Sequence, residues 1–173
     1  MKAVTTVGVA IPIPQPWGRQ LDEARARTGD PQAPHVPSHV TLLGPTEVAA
    51  ERMDTVEQHL ARAAADHHAF EIHLRGSGTF RPVTEVVFVT VARGISECEK
   101  LEAVVRSGPL QKELTYPYHP HVTVAQSVPT EALDAVFEEL ADFEARFAVA
   151  GFTLYTHDAD ATWRPRREFG FGE

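Results

Sequence analysis

Apolar residues recur along this chain in two rhythms. Val4 to Ile11 is an apolar run of strand length, and Val86 to Val91 is a second, rich in valine. Trp17, Leu21, Ala24 and Thr28 then return every three or four positions, which predicts a helix beginning after Pro14 and Pro16. The later run has a matching helix, with Cys98, Leu101 and Val104 or Val105 on one face and Ser96 with Glu99 as a capping box. Helical spacing appears twice more, at Ala49, Met53, Val56 and Leu60, and at Leu133, Val136, Phe137 and Leu140. Strand-like runs follow each of these, Phe70–Phe80 and Phe147–Thr156, and a last strand is expected within Ala161–Phe171 after a turn at Asp158-Ala159-Asp160.

Between the two helices of each set lies a short alternating segment: His39-Val40-Thr41-Leu42 in one, His121-Val122-Thr123-Val124 in the other. The two histidines and the two threonines are separated by the same interval of 82 positions. The chain therefore reads as one domain, 1–173, built from duplicated halves of about 1–80 and 84–173, each of the form strand, helix, His-x-Thr strand, helix, strand. Such alternation suits a doubly wound parallel sheet as well as two antiparallel-rich lobes.

On a strand, positions i and i+2 share a face. His39 and Thr41 thus point one way, as do His121 and Thr123, while the intervening valines face a core. If the halves are related by a twofold axis, two imidazoles and two hydroxyls converge. One neutral imidazole can accept a proton from an attacking oxygen, and one imidazolium can donate to a leaving oxygen. The hydroxyls can donate to phosphate oxygens as charge develops. No metal or other cofactor is needed for that chemistry, although His39, His119 and His121 together would also be a conceivable zinc triad.

Composition narrows the range of ligands. Among 173 residues the charged fraction is 23% and the net charge −8, which argues against broad binding to long nucleic acid. Arg164, Arg166 and Arg167 form the densest basic cluster, either a solvated face or a phosphate contact. Cys98 is the lone cysteine, and Met1 to Gly8 lacks the apolar stretch of a secretory leader, so a cytoplasmic, monomeric protein away from membranes is expected.

With these residues in view, the chain resembles the 2H phosphoesterase superfamily, and within it the 2′-5′ RNA ligase and cyclic phosphodiesterase group. The resemblance rests on Val36-Pro37-Ser38-His39-Val40-Thr41-Leu42-Leu43-Gly44-Pro45 and Tyr118-His119-Pro120-His121-Val122-Thr123-Val124-Ala125. It implies a bilobal α+β fold, with an antiparallel-rich sheet and two helices in each lobe and a cleft between the lobes. It implies hydrolysis of 2′,3′-cyclic phosphates, or cleavage and formation of 2′-5′ bonds, on a nucleotide or RNA end. His39, Thr41, His121 and Thr123 carry over as the catalytic set. Arg81, Tyr118 and His119 are further candidates for substrate contact, whereas Phe80, Trp163 and Phe169 read as packing residues and His35 and His157 belong to no constellation. A module that binds such an end without turning it over is the competing reading.

Overall fold

The computed structural model describes residues 3–172. In chain order the elements are β1 (Val4–Pro12), α1 (Trp17–Arg27), β2 (His39–Ala49), α2 (Met53–Ala65), β3 (Phe70–Thr79) and β4 (Val86–Arg93). They continue with α3 (Ile95–Val105), β5 (His121–Gln126), α4 (Thr130–Glu139), β6 (Glu144–Val149), β7 (Gly151–His157) and β8 (Trp163–Gly170). The strands form two four-stranded sheets, β2-β1-β7-β8 and β5-β4-β3-β6. Every neighbouring pair is antiparallel, which excludes the doubly wound alternative.

Each sheet takes strands from both repeats. β3 closes the first repeat in sequence but lies between β4 and β6 of the second sheet. The apolar run Phe147–Thr156, read above as one strand, is divided at Ala150: β6 pairs with β3, and β7 crosses to pair with β1. Gly151 sits at that crossing, where a Cβ would come within 2.3 Å of the Phe169 carbonyl oxygen on the paired strand. Helices are exchanged too, with α1 packed against β5 and α3 against β2. A second difference concerns the start of α3. The helix begins at Ile95 from Gly94, whose φ of 102° is left-handed, and no side-chain cap is made, so Ser96 and Glu99 lie inside the first turns and form no capping box.

The apolar faces of both sheets and all four helices join one buried cluster, from Val7, Val9 and Ile11 through Leu60, Ile72 and Leu74 to Val122, Leu133 and Leu154. This packing sets the two His-x-Thr strands against each other. β2 and β5 touch across the sheets, each an edge strand, and each begins at its histidine.

Candidate active site

The alternation read from the sequence is realised identically in both strands. Val40, Leu42 and Leu43 are buried while His39 and Thr41 are half-exposed; Val122, Val124 and Ala125 are buried while His121 and Thr123 are half-exposed. The register also slips at equivalent places. Ala10 faces Thr41 and Val9 faces Leu43, just as Phe88 faces Thr123 and Val87 faces Ala125, so Leu42 and Val124 are each the extra residue of a bulge. A bulge bends the strand and ends the strict alternation, which is why two adjacent residues after each threonine point into the core.

Both imidazoles are oriented by the chain that precedes them. His39 Nδ1 donates to the Pro37 carbonyl at 2.7 Å, and His121 Nδ1 donates to the His119 carbonyl at 2.6 Å. With Nδ1 so used, Nε2 of each ring is left to exchange protons. His39 Nε2 lies 3.0 Å from Thr41 Oγ1, where a neutral ring accepts from the hydroxyl. Ser38 is itself tied down, its amide and hydroxyl both donating to Asp22 Oδ1 on α1 at 2.8 and 2.6 Å.

Aromatic rings hold the two histidines in unlike ways. The Trp163 indole lies against His39 with centroids 4.7 Å apart and planes 32° apart, and it also meets His157 at 4.6 Å and Tyr155 at 5.6 Å. His121 instead meets Phe80 and Phe88 edge to face at 5.0 and 5.2 Å. Phe88 reaches that position because residue 78 is glycine; a Cβ there would stand 2.7 Å from the Phe88 ring. Burial pushes the proton affinity of both histidines down. His39 falls from 6.5 to about 4, with the nearby charges of Arg25 and His121 adding to the effect against the bond to Pro37. His121 is lowered from 6.5 as well, chiefly by burial.

The cleft has two chambers that meet at Thr41. One, of about 390 Å³, is lined by His39, Thr41 and Thr123 together with Arg25, Gln126 and Trp163; His157 closes it, its Nε2 buried without a partner. The other, of about 400 Å³, is lined by His121, His119, Tyr118, Phe80 and Leu114. Arg25 is a buried cation whose Nε donates to Asp30 Oδ2 at 2.8 Å. The same carboxylate oxygen accepts from the Gln126 amide at 3.1 Å, joining the segment after α1 to the end of β5. Among the described residues no three His, Cys, Asp or Glu side chains converge as they would to hold a metal ion.

The four residues of the two motifs and His119 thus share one cleft. Tyr118 is there too, but its hydroxyl donates to the Thr41 carbonyl at 2.7 Å, so it ties the approach to β5 onto β2. Tyr118→Phe removes this bond across the lobes and strands a partly buried carbonyl. The variant is expected to lose about 1 kcal/mol of unfolding free energy, read from a urea titration; an unchanged midpoint means the bond contributes nothing in solution. Arg81 turns elsewhere, pairing with Asp134 on α4 at 2.8 Å and donating from Nε to Thr79 at 3.1 Å. Arg164 pairs with Asp158, and Arg166 and Arg167 with Glu57, on the outer edge strand β8. Three residues differ from their sequence reading. Phe80 and Trp163 line the cleft rather than the core, and His157 joins a constellation after all. His35 supports them, its carbonyl accepting from the Trp163 amide at 2.9 Å and its Nδ1 lying 2.7 Å from Thr162 Oγ1. An alternating polar-apolar reading of Thr153–His157 with Trp163 just beyond the turn was the available signal.

Comparison with known proteins gives concordant results. The family model of the 2′-5′ RNA ligase superfamily matches residues 12–161. A Bacillus cytotoxicus protein named "Putative phosphoesterase" is 29% identical over 83% of this chain and 84% of its own. An Oceanobacillus iheyensis protein of the same designation is 28% identical over 85% and 81%. Among solved structures, E. coli LigT complexed with NADP+ superposes with a TM-score of 0.72 at 21% identity, covering 99% of this chain and 100% of that one. A Thermus thermophilus protein superposes with a TM-score of 0.63 at 24% identity over 97% and 99%. Motifs, paired sheets and family match coincide over most of the length, and the chain belongs to the 2′-5′ RNA ligase superfamily.

Proposed function

We propose that this protein is a metal-independent phosphodiesterase that opens 2′,3′-cyclic phosphates or cleaves 2′-5′ linkages of nucleotides or RNA ends. The observation that carries the reading is the pair of His-x-Thr strands, alike in burial, bulge and Nδ1 anchoring, set around one cleft. The names of the Bacillus and Oceanobacillus relatives support a phosphoesterase, and the binding of NADP+, 3′-AMP and ATP by E. coli LigT supports a nucleotide ligand.

The surroundings of the two rings make them inequivalent. His39, packed against Trp163 and close to Arg25, stays neutral and serves as the base. Its Nε2 takes the proton of the attacking water. As the new P–O bond forms, the bond to the sugar oxygen breaks, and His121 Nε2 gives its proton to that oxygen. In the reverse, bond-forming direction His121 takes the proton of the attacking sugar hydroxyl and His39 returns its own to the departing water. Thr41, turning its hydroxyl from His39 Nε2 to the bound ester, and Thr123 donate to the non-bridging oxygens, which carry more charge in the transition state than in the ground state. Arg25 lends the chamber a positive potential.

The test is hydrolysis of a 2′,3′-cyclic nucleotide followed as kcat/KM against pH, before and after exhaustive chelation. A base lowered to about 4 and an acid lowered below 6.5 predict a bell whose maximum lies on the acidic side of pH 6.5. Activity falls below pH 4 as His39 takes up its proton, and falls toward alkaline pH as His121 loses its own. Activity abolished by chelation and restored by added metal, or a profile flat through neutrality, overturns the mechanism. Binding of the cyclic nucleotide with no product after long incubation favours the non-catalytic module instead.

A further inference from the structure

The two chambers differ in chemistry, and the difference bears on which esters fit. Around His39 the wall carries a buried cation, two amide side chains and hydroxyls, from Arg25, Gln32, Gln126, Thr41 and Thr123. Around His121 it is built from Phe80, Val83, Leu114, Tyr116, Pro117 and Tyr118, and among the described residues no Lys or Arg lines it. Arg81, the cation nearest in sequence, is committed to Asp134 and Thr79. The rim is conspicuously apolar. Val83, Leu114 and Tyr116 are 69%, 40% and 59% exposed, so three of the large apolar side chains that face solvent surround one mouth of the cleft. Apolar surface of this kind gains by covering a flat or apolar group. A phosphate placed there would lose its hydration with no Lys or Arg to replace it, and the one imidazolium, His121, is already committed to the leaving oxygen.

Resting on the acid-base reading above, we infer that the substrate carries an uncharged aromatic substituent on its His121 side and that internal linkages of a polynucleotide are excluded. An internal linkage has further phosphates on both sides, and one of them would have to enter the apolar chamber. A mononucleotide or a chain terminus has a neutral base at one end and places its remaining charge toward Arg25. The chambers thereby orient the ester, with the leaving oxygen toward His121.

Three substrates test this with the purified protein: a nucleoside 2′,3′-cyclic phosphate, base-free ribose 2′,3′-cyclic phosphate, and a 5′-phosphorylated trinucleotide whose first linkage is 2′-5′ and so has a phosphate on either side. The wild type is expected to prefer the first over each of the others at least tenfold in kcat/KM. The double variant Leu114→Ser, Tyr116→Ala should shrink the preference for the base-bearing ester at least tenfold. Leu114→Lys should raise use of the trinucleotide relative to the mononucleotide. Both changes are at exposed positions, and each ratio is internal to one preparation. Equal use of base-bearing and base-free esters, efficient cleavage of the internal bond, or variants with unaltered ratios overturn the inference while leaving the phosphodiesterase reading intact. Turnover of none of the three by the wild type removes that reading and the inference with it.

Discussion

His39→Ala is expected to lower kcat/KM by about 100- to 10,000-fold for every phosphodiester offered, whereas His121→Ala does so only when the leaving oxygen is poor. The asymmetry follows from the roles assigned above. A base is needed whenever water or a hydroxyl attacks, because neither is nucleophilic with its proton in place. An acid is needed only where the departing oxygen cannot leave as an anion. An ordinary sugar alkoxide cannot; a nitrophenolate can. With a nitrophenyl ester, His121→Ala should therefore retain most of the wild-type rate, and its alkaline limb should disappear from the pH profile. His39→Ala should stay impaired with the same ester. The reverse result, rescue of His39→Ala and not of His121→Ala, would exchange the two roles and leave the rest of the mechanism standing. Equal, unrescued losses in both would mean that the rings act together in holding the phosphate. Stability need not confuse the comparison, since both side chains are half-exposed and their Nδ1 partners are backbone carbonyls at the surface of the cleft.

Much of the site was legible in the sequence because it is local. A histidine and a threonine two apart, with valine between and apolar residues after, encode a half-buried strand, and the repeat at a fixed interval encodes its partner. The cleft side chains that escaped notice reach it by long-range packing. Arg25 lies one helix away from His39 in sequence, and nothing at that position distinguishes a cation that lines a cavity from one on a surface. Its partner Asp30 is equally inconspicuous, yet it receives bonds from three segments. Trp163 and His157 flank the β7–β8 turn; Trp163 meets His39, and His157 meets Trp163, only because β7 leaves the second sheet for the first. That crossing is where local reading fails most plainly. Phe147 to Thr156 is an uninterrupted strand by composition, and the single cue to its division is Gly151, whose backbone must lie against the Phe169 carbonyl. The exchange of β3 and β7 between sheets is a consequence of pairing choices that no short window contains.

Asp30→Ala is expected to cost about 3–5 kcal/mol of unfolding free energy, because it leaves Arg25 as an unpaired buried charge. Arg25 and Asp30 are 5% and 0% exposed in their side chains and 2.8 Å apart. The carboxylate also accepts from the backbone amides of Gln32 and Gln126 at 2.8 and 3.1 Å, so three donors lose their partner at once. Against a total of about 5–15 kcal/mol for a domain of this kind, the loss is a large fraction and should be plain in a urea titration. Arg25→Met with Asp30→Leu should recover part of it, since the buried charges go together, but not all, since the two amides remain unmet. The single variant Arg25→Met, in which Asp30 keeps the Gln32 and Gln126 amides, reports on the chemistry through the pH profile. Arg25 is among the groups that depress His39, so its removal should move the acid limb of kcat/KM upward, from about 4 toward 6.5. An acid limb that stays in place would show that burial against Trp163 alone keeps His39 neutral, and that Arg25 serves only to fasten α1 to the end of β5.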